Sequence, residues 1–382
     1  MRTVIEGSQG IAHAVRLSKP DVMAMYPITP STHVPETLAQ FVADGKMTSK
    51  IITVDSEFSA MSACVGVSAA GSRVFTATSS QGLALMHEVV FAAAGMRLPI
   101  VTAVINRALS APINIWNDHQ DTFAERDSGW LQLYCETNQE AVDTMIQAYK
   151  IAEDEDVLLP VFVCTDGFTL SHTYEPIDIP EQEDVDAFLP EYKPKHAFLD
   201  PEKPMTMGPF AYPKPYAAMR KELSEVVMKS EDKVKAVHDD FADKFGRSYG
   251  NGLIEEYKND REITLVAMGS VTGTMKEVID ERDDVGLVRV KCYRPFPEKD
   301  LLKALEGKEN VIVFEKNVAL GLHSGAMYPE LRSLLYGKDI RINNVVGGLG
   351  GIDTTTTNVN NLVDRLKDAN GKVEFLRGEP DE

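Results

Sequence analysis

The stretch YPITPST at 26–32 sets a hydroxyl, Thr29, between two prolines. Proline fixes φ near about −65° and biases the residue before it away from the α region, so Pro27 and Pro30 hold the stretch extended and stiff. A hydroxyl on a rigid loop just past an apolar run, VMAM at 22–25, stands where α/β proteins place ligand contacts. Two more groups of that kind follow, Glu57 in VDSEFSA at 54–60 and Arg107 in NRALSAP at 106–112.

Glu57 falls in the first turn of a helix that follows a short β-rich run. A carboxylate there gains roughly 0.3–1 kcal/mol from the helix dipole, which would account for it as a helix-start acid. The residues behind it, Phe58, Ala60, Met61, Ala63, Val65 and Val67, make that helix mostly buried. An acid at the mouth of a buried helix requires a specific partner. Arg107 closes another apolar strand. Its planar fork suits a carboxylate or phosphate ligand, and equally suits Asp118 or Asp121 as partners that hold the loop. Both readings stand open.

Other candidates are weaker. GGLGG at 347–351 resembles a phosphate cradle but has neither the GxGxxG spacing nor a closing Lys-Ser/Thr, and a tight loop at a subunit contact fits as well. Gly167 in TDG at 165–167 reads as a turn. His33 lies beside the Thr29 loop and is expected to line the same pocket. His87 sits on a helix and is expected to make a buried hydrogen bond. His119 and His323 fall in loops with no ligand spacing around them, and no Ser-His-Asp or Cys-His arrangement emerges.

These residues need a scaffold, and the first part of the chain supplies one. Strand-like runs at 51–54, 74–78, 99–105, 130–135 and 158–164 alternate with helical stretches at 57–70, 83–96 and 140–152. Ser79 to Gly82 offer N-cap residues for the second helix, and Asn138 for the third. The alternation implies an α/β fold with a mostly parallel, doubly wound sheet. Ten prolines, Pro160 and nine from Pro176 to Pro215, break regular structure in or just before residues 172–216. This stretch reads as an extended arm, expected to wrap a neighbouring subunit. An amphipathic helix at 216–245 follows, with Met219, Leu223, Val226, Val227, Val234, Val237 and Phe241 along one stripe. Residues 246–260 read as a linker. A second unit then alternates strands at 263–268, 286–293, 311–315 and 340–346 with helices at 272–280, 298–305, 324–336 and 359–367. The expected domains are 1–250, including the arm, and 261–382.

The length of 382 residues fits two or three domains. No apolar run approaches the ~18 residues of a membrane span. The N-terminus reads as a strand entering a Gly turn and lacks signal-peptide features. Four scattered cysteines argue against a zinc site, an iron–sulfur cluster held by this chain alone, or a disulfide scaffold. A net charge of −19 disfavours nucleic acid as a partner. The expectation is a soluble cytoplasmic protein with reduced thiols, with neither membrane nor nucleic acid as partner.

YPITPST, VDSEFSAMSACVG, TSSQGLALMHE, NRALSAPINIWNDHQD and RDSGWLQLY together closely resemble the α subunit of 2-oxoacid:ferredoxin oxidoreductases, nearest the pyruvate:ferredoxin type. The likeness covers most of the chain, because VGLVRVKCYRPFP at 285–297 resembles that family's following domain. It implies a thiamine diphosphate pyrimidine-type domain followed by a smaller transketolase C-terminal-like α/β domain. A partner β subunit would hold most of the cofactor and its Mg2+, which agrees with the lack of a GDG motif here. The [4Fe–4S] clusters would lie in β and δ subunits, with none in this chain and no metal ligand in it. A γ subunit would contribute to coenzyme A handling, and ferredoxin would take the electrons.

Carried over residue by residue, Glu57 matches the catalytic glutamate that hydrogen-bonds the aminopyrimidine ring. A carboxylate there favours the imino tautomer, whose nitrogen takes the proton from the thiazolium carbon. Thr29 matches the hydroxyl that contacts the substrate carboxylate, Arg107 the arginine that pairs with it, and Pro27 a residue of the cofactor-contacting loop. The implied reaction interconverts pyruvate, coenzyme A and oxidised ferredoxin with acetyl-CoA, CO2 and reduced ferredoxin. SAPINI at 110–115 resembles the pyruvate and branched-chain (2-oxoisovalerate) types rather than the 2-oxoglutarate type. A non-catalytic scaffold subunit is the contrasting reading, and the joint presence of Glu57, Thr29 and Arg107 speaks against it.

Overall fold

The computed structural model describes residues 2–196 and 198–378. Strand β1 (Arg2–Glu6) runs directly into helix α1 (Gly7–Ser18). The glycine turn expected there is replaced by helix, because Gly7 and Gly10 serve close packing: a β-carbon at Gly7 would collide with Asn138. Then follow β2 (Val22–Met25), α2 (His33–Ala43), β3 (Lys50–Thr53), α3 (Glu57–Ala69), β4 (Val74–Thr78) and α4 (Ser80–Gly95). Next come β5 (Val101–Asn106), α5 (Gln120–Ala124), β6 (Leu131–Tyr134), α6 (Asn138–Ala152) and β7 (Val161–Asp166). Helix α6 is capped by Thr137, whose side chain accepts from the Glu140 N–H, and not by Asn138.

The arm is more regular than its prolines suggest. It contains β8 (Tyr174–Asp178), which pairs antiparallel with β1, and α7 (Gln182–Phe188). Helix α8 (Pro213–Phe245) starts earlier than expected, with Pro213 in the first turn, where its missing N–H costs nothing. Leu223, Val234, Val237 and Phe241 of its stripe are buried, whereas Met219 is half exposed. The expected linker holds a strand, β9 (Ile254–Tyr257).

The second unit adds β10 (Ile263–Ala267), α9 (Val271–Asp280), β11 (Val285–Val290), β12 (Cys292–Arg294), α10 (Glu298–Ala304) and β13 (Asn310–Glu315). It closes with α11 (Met327–Leu334), β14 (Arg341–Val346), α12 (Thr356–Leu366) and β15 (Val373–Phe375). The single strand expected at 286–293 is therefore two. Helix α11 is also shorter than expected, since residues 324–326 lie before it and 335–336 after it.

Two sheets organise the chain. The first has the order β12-β6-β7-β5-β4-β2-β3 and is parallel except for β12. The second has the order β15-β14-β13-β10-β11-β9 and is parallel except for the edge strand β9. Strands β4, β5, β6 and β7 are buried throughout, as helices on both faces of a parallel sheet require.

Several contacts join the two sheets. β12 leaves the second unit to extend the first sheet beside β6. One apolar cluster runs from Leu83, Met86 and Trp130 on the first sheet to Val288, Tyr293 and Leu331 in the second unit. Arg289 and Lys291, both buried, reach Glu140 of α6 at 2.7 and 2.6 Å. Burial pushes the Glu140 carboxyl up, but those two cations outweigh it and hold it down at about 2.

Candidate active site

In the first sheet β2 is followed outward by β3, while β4 returns on the other side of β2 and leads on to β5. The winding reverses between β2 and β4, and ligands of such sheets bind at the carboxyl ends of the strands beside that reversal. The loop after β2 carries Pro27 and Thr29. The turn after β3 carries Glu57, the turn after β4 carries Ser79 to Gly82, and the loop after β5 begins at Arg107. All the predicted site residues thus share one edge.

Glu57 is the first residue of α3, whose N-cap Ser56 accepts from the Ser59 N–H. It is only 8% exposed. Its carboxylate makes no hydrogen bond or ion pair among the described residues, so the partner expected for a buried acid is not found among them. It lies against α4: a β-carbon at Gly82 would stand 2.7 Å from Glu57 Oε1 and 2.6 Å from Thr78 Oγ1. Thr78 Oγ1 and Ser79 Oγ are themselves buried without a hydrogen-bond partner. The Glu57 carboxylate and the Thr78 hydroxyl therefore meet at Gly82 with unused hydrogen-bonding capacity, which is costly for buried polar groups.

Arg107 is 7% exposed and donates from Nη1 to the Thr29 carbonyl oxygen at 2.8 Å and from Nε to that of Asn114 at 3.0 Å. Neither Asp118 nor Asp121 forms an ion pair with the guanidinium; it holds the loop through the Thr29 and Asn114 carbonyls instead, while Asp121 accepts from the Arg107 N–H. Its Nη2 has no partner among the described residues. Burial lowers the Arg107 pKa from its ordinary value, more than the nearby Asp121 carboxylate raises it. Thr29 is exposed, and its hydroxyl is free among the described residues. Pro27 is exposed on the same loop, and Pro30 packs on the backbone of Gly167, where a β-carbon would meet Pro30 Cγ at 2.8 Å.

Asp121 was not among the expected site residues. Its Oδ2 accepts from the Ser80 and Arg107 N–H groups, each at 3.0 Å. Its Oδ1 accepts from Asn106 Nδ2 and the Thr122 N–H, each at 2.8 Å. Burial pushes its carboxyl up to about 6, against the pull of those donors.

His33 is held at 2.7 Å by buried Glu6 and lies 4.7 Å from the His172 ring. His87 does bond Glu125, at 2.8 Å, but is itself exposed. His119 is buried and bonds Asp166 at 2.7 Å; Lys316 of the second unit reaches the same carboxylate at 3.1 Å. The GGLGG segment serves a contact within the chain. The Gly350 carbonyl accepts from Asn114 Nδ2 at 3.0 Å, its N–H donates to Asp118 at 3.0 Å, and Gly351 leaves no room for a side chain beside Trp116. The second unit thereby braces the loop that holds Arg107. The four cysteines are buried and free, and no group of three or more His, Cys, Asp or Glu among the described residues is placed to hold a metal ion.

A doubly wound sheet with a buried carboxylate beside its switch point is the arrangement of a ligand-binding α/β domain. The chain belongs to the pyruvate:ferredoxin oxidoreductase family. Residues 13–239 match the model described as pyruvate flavodoxin/ferredoxin oxidoreductase, thiamine diphosphate-binding, and residues 261–359 match pyruvate:ferredoxin oxidoreductase core domain II. It is 52% identical to pyruvate synthase subunit PorA of Methanocaldococcus jannaschii, over 96% of this chain and 95% of that one. With PorA of Methanothermobacter thermautotrophicus it shares 50% identity over 98% and 97% of the two chains. Ketoisovalerate oxidoreductase subunit VorA of Pyrococcus horikoshii is 39% identical over 96% and 94%. Among solved structures, 2-oxoglutarate:ferredoxin oxidoreductase from Magnetococcus marinus shares the fold, with a TM-score of 0.73 at 19% identity, covering 96% of this chain and 65% of that one.

Proposed function

We propose that this chain is the α subunit of an enzyme that interconverts pyruvate, coenzyme A and oxidised ferredoxin with acetyl-CoA, CO2 and reduced ferredoxin. The observation that carries this is Glu57, a buried carboxylate without a partner at the switch point of a thiamine diphosphate-binding domain. The residues present fit that cofactor. Thiamine diphosphate, when bound, supplies the nucleophilic carbon and electron sink for cleavage beside a 2-oxo group. Glu57 would hold its aminopyrimidine ring by a hydrogen bond and so govern the proton on that ring. The Gly82 cradle lets the carboxylate stand at that depth, and Pro27 lines the loop beside it.

Arg107 and Thr29 bind the substrate carboxylate. The free Nη2 and the Thr29 hydroxyl are the donors, and the carbonyls of Thr29 and Asn114 hold the guanidinium in place. Burial strengthens that charge-assisted pairing and excludes water from it. A β subunit supplies the diphosphate and Mg2+ half of the site. Iron–sulfur clusters in β and δ subunits carry electrons to ferredoxin, and a γ subunit assists with coenzyme A. The domains fall at 1–250 and 261–382, with the arm at 172–216 reaching a neighbouring subunit and the assembly working in the cytoplasm.

Identity to the PorA chains exceeds that to VorA, which favours pyruvate over a branched-chain 2-oxoacid. A missing methylene is worth only ~1–3 kcal/mol in an apolar pocket, so the preference is one of degree. The test is a comparison of kcat/KM for pyruvate, 2-oxoisovalerate and 2-oxoglutarate on the reconstituted complex with coenzyme A and ferredoxin. Pyruvate is expected to lead; a lead for either other acid would overturn the assignment.

A further inference from the structure

We propose that Asp121 is the positioning residue of this site: one carboxylate oxygen sets the turn behind Glu57 and the loop of Arg107 at once. The inference rests on the roles given above to Glu57 and Arg107. Asp121 is 1% exposed on the short helix α5, and its two oxygens each accept two hydrogen bonds. The Oδ2 pair joins backbone N–H groups from two different turns, those that leave the adjacent strands β4 and β5.

Each half of that clamp leads to a functional group. Ser80 has φ +47°, a left-handed conformation that costs a non-glycine residue about 1–3 kcal/mol and persists only where the surroundings impose it. Asp121 imposes it at the N–H, and Ala108 and Gln81 engage the Ser80 hydroxyl. That twist directs α4 so that Gly82 faces the Glu57 carboxylate. On the other side, the fixed Arg107 N–H starts the side chain that bridges Thr29 and Asn114. Asp121 also places a negative charge near a guanidinium that forms no ion pair among the described residues. It touches neither substrate nor cofactor.

Asp121→Asn tests this in the assembled complex, because it keeps the side-chain volume and turns one acceptor into a donor that faces N–H groups. The expected result is a KM for pyruvate raised about tenfold and a kcat lowered about tenfold, with assembly retained and the thermal midpoint lowered by only a few degrees, the cost of a donor set against buried N–H groups. Titration of the cofactor-stripped complex with thiamine diphosphate should weaken by a similar factor. In an Arg107→Ala background the KM effect of Asp121→Asn should vanish while its kcat effect remains, which no uniform loosening of the fold would produce. Kinetic constants within twofold of the parent, full multiplication of the two KM effects, or failure of the variant to assemble would each overturn the proposal. Glu57→Gln and Arg107→Ala are run alongside. If they too leave the rate unchanged, the functional reading itself fails; if only Asp121→Asn is silent, the positioning role alone fails.

Discussion

The Arg107 guanidinium donates to the carbonyl oxygen of Thr29 at 2.8 Å, so the loop after β5 holds the loop after β2 by its main chain and leaves the Thr29 hydroxyl free. One contact therefore shapes both groups proposed to take the substrate carboxylate. Arg107→Ala should raise the KM for pyruvate by roughly 10- to 150-fold, the equivalent of the ~1.5–3 kcal/mol that a hydrogen bond to a charged group contributes. Thr29→Ala keeps the carbonyl and removes only the hydroxyl, so its increase should be smaller. Steady-state kinetics on the reconstituted complex checks both, and an unchanged KM in Arg107→Ala would remove that residue from the site.

Gly82 is a helical glycine whose missing side chain leaves space that Glu57 fills. Alanine is favoured over glycine in a helix interior by about 1 kcal/mol, so on propensity alone Gly82→Ala should stabilise the chain. Here its β-carbon would stand 2.7 Å from the Glu57 carboxylate oxygen. The expected outcome is a complex with parent-like thermal stability and pyruvate-dependent ferredoxin reduction lowered at least about tenfold. Retained turnover would show that the Glu57 carboxylate can move without consequence.

The Glu140 cluster makes stability depend on pH in a defined sense. Its carboxyl titrates at about 2 in the fold against an ordinary value of 4.5. A depressed folded value means the contribution, about 3 kcal/mol, is present above pH 4.5 and is lost as the pH falls through about 2. Glu140→Gln should remove this part of the acid sensitivity. At neutral pH it should cost about 3–5 kcal/mol, because buried Lys291 loses its carboxylate partner and Arg289 keeps only Glu255, at 2.8 Å, and the more distant Glu136. Thermal midpoints measured from neutral to acid pH on both proteins check this; identical pH profiles would contradict it.

Much of this arrangement was legible because the chain repeats one local grammar, a buried strand, a small-residue turn, then a helix. That pattern placed Thr29, Glu57 and Arg107 after β2, β3 and β5, and parallel winding brings such turns to one edge. Asp121 was legible as a partner for the Arg107 loop, but not its grip on the Ser80 turn. Its donors, Ser80, Asn106 and Arg107, are loop and strand-end groups whose convergence depends on which strands are neighbours, and strand order is a tertiary fact. Gly82 looked like helix-cap chemistry because the acid it accommodates lies in another helix. Strand β12 was hidden for a related reason. The run at 285–294 has one continuous β pattern, yet its last residues leave the second sheet to pair with β6. Pro213 misled in the opposite direction, since proline breaks a helix interior but is at home in its first turn.

The most direct test of the account concerns Glu57. Exchange of the hydrogen on the thiazolium carbon can be followed by NMR after acid quench, with thiamine diphosphate bound to the fully assembled complex. The expected result for Glu57→Gln is intact assembly and an exchange rate lowered by about a hundredfold or more, the scale of a lost acid–base group. Parent-like exchange in that variant, with the cofactor demonstrably bound, would contradict the central role assigned to this carboxylate.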